Sequence, residues 1–173
     1  DITMNAQVCA ETDIGLKREQ NEDCYLIINR KTKYVDIQND GMMFALADGM
    51  GGHAGGEIAS KMACRGMADY YAAKTDRPEG SDYFKAKLGH LRSSIYNVHH
   101  KIIEYGRINK EYEDMGTTLS VLVLTKNKAL LAHVGDSRIY RLRKGRLQQL
   151  TEDHTMAQLF IRMGHLTPEK VAN

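Results

Sequence analysis

The sequence predicts an α+β fold with antiparallel sheet, and three observations lead to it. Strand-like runs lie near both ends, two helical patterns lie together between them, and strand and helix do not alternate along the chain. With 173 residues the chain fits one domain, 1–173, since a single core commonly fills roughly 100 to 200 residues. Lysine plus arginine number 24 and aspartate plus glutamate 22, for a net charge of +2, and 42% of residues are hydrophobic. This balance excludes an acidic disordered tail and a basic nucleic-acid arm. No run reaches the roughly 18 apolar residues of a membrane span, and no signal-peptide pattern opens the chain. Cys9, Cys24 and Cys64 are odd in number and form no Cys-x-x-Cys pair, so reduced, mostly buried thiols and a cytoplasmic location are expected. The chain starts without Met and stops at Val171-Ala172-Asn173, which reads as a piece of something longer.

Taken in order, Gln7 to Thr12 and Asp23 to Ile28 are rich in Val, Ile, Tyr and Cys and predict strands, with the polar stretch Asp13 to Glu22 as the loop between them. Asn39-Asp40-Gly41 predicts a hairpin turn, because Asn or Asp followed by Gly tolerates positive φ. Met43 to Ala47 is the next strand. After it, Asp48 to Gly56 holds five glycines in nine residues, which predicts irregular backbone open to close approach by a ligand. Glu57 opens a helix whose apolar stripe runs through Ala59, Ala63, Gly66, Met67 and Tyr70 to about Lys74.

Arg77-Pro78-Glu79-Gly80 breaks that helix, and Ser81 with Asp82 caps the next. Phe84, Leu88, Leu91, Ile95, Val98, Ile102 and Tyr105 step by four and three, so all seven share one face. Such a seam could pair with a second chain, but packing along its own domain is favoured because the neighbouring strands need covering. Thr117 to Thr125 and Ala129 to Val134 are almost fully apolar, which predicts two strands buried on both faces. Arg138 to Arg143 and Arg146 to Leu150 form a hairpin turning at Lys144-Gly145, and a last helix is expected from Thr155 to Met163.

Glu22-Asp23, Asp48 and Asp136 all lie at strand ends. Carboxylates so placed can converge at one rim of a sheet, and oxygen ligands without nearby Cys suit magnesium or manganese. Glycine after Asp48 would let a backbone carbonyl, that of Gly49, join such a shell. Singly, each Asp-Gly or Gly-Asp is ordinary turn chemistry; the set beside Arg18, whose planar fork matches a phosphate dianion, argues for a site. Gly51-Gly52-His53 is no P-loop, since no Gly-Lys-Ser/Thr follows, and it does not match the dinucleotide-binding Gly-x-Gly-x-x-Gly. His90, His99 and His100 on the long helix and His133 in a strand read as structural, without zinc spacing.

Five segments together resemble the metal-dependent serine/threonine protein phosphatases of the 2C type, particularly bacterial members. They are Thr12-Asp13-Ile14-Gly15 to Arg18 with Asn21-Glu22-Asp23, Asp48 to His53, Gly116-Thr117-Thr118, Gly135-Asp136-Ser137-Arg138 with Tyr140, and Leu150-Thr151-Glu152-Asp153-His154. The resemblance implies a four-layer α-β-β-α sandwich of two antiparallel sheets flanked by helices. It implies two core Mn2+ or Mg2+ ions bridged by Asp48, one of them also bound by the Gly49 carbonyl. Glu22 and Asp23 would act through metal-bound waters, Asp136 would bind a third, weaker ion, and Arg18 would hold the substrate phosphate. His53 is a candidate to orient substrate or protonate the leaving alkoxide, against a role in loop structure; some relatives carry a histidine directly after the Asp-Gly, where this chain has Met50. His154 is expected to be structural.

The implied activity is hydrolysis of phosphoserine and phosphothreonine on proteins phosphorylated by a serine/threonine kinase. The family's two further aspartates, in downstream Asp-Gly and Asp-Asn motifs, have no counterpart after Asp153. The expectation is therefore the N-terminal two thirds of such a domain, truncated at its C-terminus, whose isolated activity is open. The alternative is a catalytically silent module of the same fold that binds phosphorylated partners or regulators.

Overall fold

Short runs rich in apolar residues form one five-stranded antiparallel sheet, with the order β1 (Asp23–Ile28), β2 (Met42–Met50), β4 (Leu119–Leu124), β5 (Ala129–Val134), and with β3 (Gly116–Thr117) paired to the end of β2. The computed structural model describes residues 6–52, 54–72, 81–155 and 162–163. Two helices, α2 (Gly55–Ala68) and α3 (Ser81–Ile108), cover one face of the sheet. Ile28, Met43, Ala45, Ala47, Val121 and Val123 from the sheet meet Ala59, Ala63, Met67, Leu91 and Val98 from the helices in one buried cluster. The α+β class with antiparallel sheets flanked by helices is that expected from the sequence.

The α2 stripe holds: Ala59, Ala63 and Met67 are fully buried, and Tyr70 follows in a 3-10 turn, Asp69–Tyr71. Gly66 is where α3 crosses, since a Cβ there would lie 2.5 Å from Val98 Cγ2. Of the seven residues on the α3 seam, Leu91, Val98 and Ile102 are buried within the domain, which favours internal packing over a second chain; Leu88 and Tyr105 stay exposed.

Several expectations are corrected. Residues 7–12 form no strand; they run irregular and exposed, because no strand among the described residues offers them a ladder. Asn39-Asp40-Gly41 is not a hairpin turn. It closes a one-turn helix, α1 (Ile37–Asp40), whose cap Asp36 accepts from the Asn39 N–H, while Gly41, at φ +85°, enters β2. β2 continues past Ala47 to Met50 because β3 supplies a partner, Gly49 opposite Thr117. The glycine run is thus partly strand and, at Gly55 and Gly56, already helix.

The second face of the sheet is not fully buried as the apolar runs suggested. Tyr25 and Leu46 are 45% exposed, and Leu122, Leu124 and Leu131 half-buried, because among the described residues no second layer covers that side. The hairpin β6 (Tyr140–Arg143) and β7 (Arg146–Gln149) forms a separate two-stranded sheet, turning at Lys144 and Gly145, both with positive φ as a primed turn requires. Most of the expected last helix, 155–163, lies outside the described residues. The cysteines are free thiols. Cys64 is buried, which pushes its thiol up, and it packs within reach of half-buried Cys24; Cys9, against expectation, is exposed.

Candidate metal centre

The register of β1 against β2 sets Asp23 directly opposite Asp48 at the end of the ladder. Glu22 precedes β1, and its carbonyl accepts from the Gly49 N–H at 3.1 Å, so backbone bonds bind the two acidic segments together. Asn21 fixes the approach: its side chain accepts from the Asp23 N–H at 3.0 Å and donates to Thr12 Oγ1 at 2.8 Å. Asp136 arrives from a third segment, the Gly135-Asp136-Ser137 turn after β5, with Gly135 at φ +110°.

Glycine is required where β2 passes into α2. A Cβ on Gly49 would lie 2.0 Å from the Gly56 carbonyl oxygen, and one on Gly56 would lie 2.4 Å from Glu22 Oε1. The Glu22 carboxylate therefore sits against the first turn of α2, where exposed helix N–H groups favour a negative charge. This close approach explains a residue pattern that sequence reading assigned only to ligand access.

Partial loss of hydration raises the Asp48 carboxyl above the usual carboxylate range, and the charges of Asp23, Asp136 and Glu22, with a hydrogen bond to Asp23, push the same way. Asp48 is exposed, so the desolvation is shallow and mutual repulsion is the durable cause. Carboxylates crowded this way lack positive charge, and an all-oxygen donor set of this kind fits a hard divalent cation. Among the described residues, however, no three His, Cys, Asp or Glu side chains close into a ready ligand set. Water and backbone carbonyl would have to complete any shell.

The structure brings together Glu22, Asp23, Asp48 and Asp136, with Gly49 in place beside them. Arg18 Nη1 is 3.5 Å from Glu22 Oε2 and otherwise exposed, so its fork is free to turn to solvent at the rim. His53 lies outside the described residues. Of the other histidines, His90, His133 and His154 take the structural places expected, while His99 and His100 are exposed on α3. His90 Nε2 lies 2.7 Å from the Tyr70 carbonyl, His133 Nδ1 lies 2.9 Å from Ser120 Oγ, and His154 Nδ1 accepts from the Gly135 N–H at 3.2 Å.

Thr117, Thr118 and Ser137 belong to motifs that by themselves assign them no chemical role. The hydroxyl of Thr117 donates to the Asp48 carbonyl at 3.0 Å, that of Thr118 accepts from the Asp48 N–H at 3.0 Å, and Thr118 Oγ1 lies 2.8 Å from Ser137 Oγ. Two β-branched residues beside an apolar run signal a strand first, which hides this use.

Comparison with known proteins gives one consistent family. The family model for protein phosphatase 2C matches residues 29–168, leaving Arg18, Glu22 and Asp23 outside the match. The protein phosphatase PhpP of Streptococcus pneumoniae is 39% identical over 164 residues, covering 92% of this chain and 59% of that protein. The serine/threonine protein phosphatase PstP of Mycobacterium tuberculosis is 34% identical over 169 residues, 98% of this chain but 29% of that protein. The crystal structure of the PstP catalytic domain in complex with two manganese ions superposes with a TM-score of 0.70 at 34% identity, covering 93% of this chain and 61% of that one. The phosphatase Stp1 of Staphylococcus aureus gives 0.74 at 30% identity, with 92% and 58% covered. The chain thus spans between about a third and three fifths of the length of these relatives.

Proposed function

The chain belongs to the protein phosphatase 2C family, and from that membership we propose that the protein it forms part of hydrolyses phosphoserine and phosphothreonine on proteins, with manganese or magnesium as cofactor. The observation that carries this reading is the convergence of Glu22, Asp23 and Asp136 on Asp48, with Asp23 directly opposite it in the β1–β2 register. The names of the relatives, which are serine/threonine protein phosphatases, support the substrate class.

Asp48 and the Gly49 carbonyl would hold the two core ions, Asp23 and Glu22 would hold them through water, and Asp136 would bind a third. When bound, such ions supply the acidity that yields hydroxide from water near neutral pH and positive charge for the phosphoryl oxygens. Glu22 and Asp23 accept hydrogen bonds from water and so orient the attacking oxygen in line with phosphorus. Arg18 takes two phosphoryl oxygens bidentately. His53 is the candidate acid for the leaving serine or threonine alkoxide, the alternative being a role in loop structure. No residue of the chain need bond covalently to phosphorus. The substrates are the products of a serine/threonine kinase. Among the described residues no helix is long and apolar enough to cross a membrane, and the free thiols support a cytoplasmic setting.

The test is phosphate release from a phosphothreonine peptide by the complete domain with manganese present. Asp48→Asn should lower the rate by about a hundredfold or more, roughly 3 kcal/mol in the barrier. An unchanged rate in that variant would overturn the reading. Retained phosphopeptide binding without manganese binding would point instead to a silent module.

A further inference from the structure

Asp48 and Asp136 reach the centre from segments far apart in sequence, and one side chain touches both segments. Thr118 fills the one-residue break between β3 and β4. Its N–H donates to the Asp48 carbonyl at 2.8 Å, and its Oγ1 accepts from the Asp48 N–H at 3.0 Å. Both backbone groups of Asp48 are therefore held by a single residue, with a hydroxyl standing where a strand carbonyl would ordinarily accept. On its other side, Thr118 Oγ1 lies 2.8 Å from Ser137 Oγ. The turn before Ser137 is pressed onto the same side chain, since a Cβ on Gly135 would lie 2.5 Å from Thr118 Cγ2 and 2.6 Å from its Cβ. Asp136 is thus flanked by two residues, Gly135 and Ser137, that both rest on Thr118.

We infer that Thr118 is a positioning residue whose hydroxyl, through the Asp48 N–H on one side and Ser137 on the other, sets the spacing of the Asp48 and Asp136 carboxylates for metal binding. The inference rests on the proposed phosphatase reading and adds to it a residue that touches neither metal nor substrate. Rigid partners of this kind matter because ligand side chains must be held for an ion to bind tightly; losing such an outer contact typically weakens metal affinity about 10- to 100-fold. Thr117 still holds the Asp48 carbonyl, and the backbone bond from Thr118 does not need its side chain, so the strand survives loss of the hydroxyl.

The experiment uses the complete domain and measures manganese binding directly by calorimetry and by the resonance spectrum of the free ion, beside steady-state kinetics. Thr118→Val, which keeps shape and removes the hydroxyl, should weaken manganese binding about tenfold while KM for a phosphopeptide moves less than about twofold. Thr118→Ser should restore binding to within about twofold of wild type, and Ser137→Ala, which cuts only the link to the Asp136 turn, should weaken it about threefold. Wild-type manganese affinity in Thr118→Val overturns the proposal, as does a Thr118→Ser variant no better than Thr118→Val. If Thr118→Val does not fold, Ser137→Ala decides, with unchanged affinity counting against the proposal. A wild-type domain that binds no manganese, or releases no phosphate, sinks the phosphatase reading itself, whereas an active wild type with an unaffected Thr118→Val sinks only the positioning role.

Discussion

The β1–β2 ladder and the β6–β7 hairpin are both short antiparallel pairs, yet different forces hold them. The ladder lies over α2, with Ala45 and Ala47 in the core, and glycine backbone packs on glycine backbone where Gly49 meets Gly56. All eight hairpin residues are exposed, with Leu142 and Leu147 about 70% open, and the hairpin is tied down from outside by the segment that follows it. Leu150 N–H donates to Ile139 O, Thr151 Oγ1 accepts from the Ile139 N–H, and Arg138 grips Asp153 with N···O distances of 2.6 to 3.1 Å. A site that must hold like charges near one another is built on the first kind of support, because solvent-facing ion pairs are worth little and yield readily.

The sharpest way to break the contrast is Gly49→Ala in the complete domain. Its Cβ would meet backbone, which cannot rotate away, so a loss of about 3 kcal/mol or more in urea unfolding is expected, with manganese binding lost in parallel. A variant of wild-type stability would show that β2 and α2 are not locked as described.

Lys87→Met probes an intermediate case. Lys87 is 6% exposed, lies 2.9 Å from Asp40, and sits over the Tyr70 and Tyr83 rings, so it ties α3 to α1. Burial alone would lower its pKa, but the bond to Asp40 and the charges of Tyr70 and Asp40 outweigh that and raise it above the lysine value of 10.5. The sign follows from a raised folded value: the stabilisation is complete below pH 10.5 and is lost as pH climbs through the folded pKa. Removing the cation should cost about 2–3 kcal/mol at pH 7, less than a fully buried pair because Asp40 keeps some hydration. The melting temperature of the variant should also lose the alkaline fall seen in wild type, and a variant that keeps it would place that fall elsewhere.

Asp153→Asn should do least. The Arg138 guanidinium holds the Asp153 carboxyl below the usual carboxylate range, so the pair contributes above about pH 3.9 and its contribution is lost as pH falls through the lowered folded value. Arg138 is half exposed but the Asp153 side chain only 18%, and the contact is bidentate, so the melting temperature at pH 7 should fall by roughly two to four degrees, with faster hydrogen exchange at Ile139 and Leu150. A larger thermal shift would mean that the hairpin shares the stability of the ladder.

The α3 seam was legible because seven apolar residues at steps of three and four leave little choice of face, and β1 was read to its observed ends. The α2 start was misplaced because Gly55 and Gly56 have poor helix propensity; in the fold the bare backbone of Gly56 lets α2 reach Gly49 and Glu22, while Gly55 packs on Met115. Asn39-Asp40-Gly41 misled for a similar reason, since the residues that favour a turn also end a one-turn helix. The strand expected at 7–12 failed because pairing is nonlocal and no local pattern reports whether a partner strand exists. Of the proposed centre, the acidic residues and Arg18 could be picked out from motifs, whereas the hydroxyls that hold Asp48 could not.

Residue types and spacings alone determined the α+β class, the amphipathic helices and the family, and they singled out the carboxylates of the proposed centre. Those are local or pairwise properties that a chain carries in any conformation. Tertiary structure decided which carboxylates face one another, that lost hydration and three acidic neighbours push Asp48 upward, and that Thr118 ties two distant segments to one point. Distances between segments 70 and 19 residues apart depend on how the strands register and pack, which no local pattern in the chain encodes.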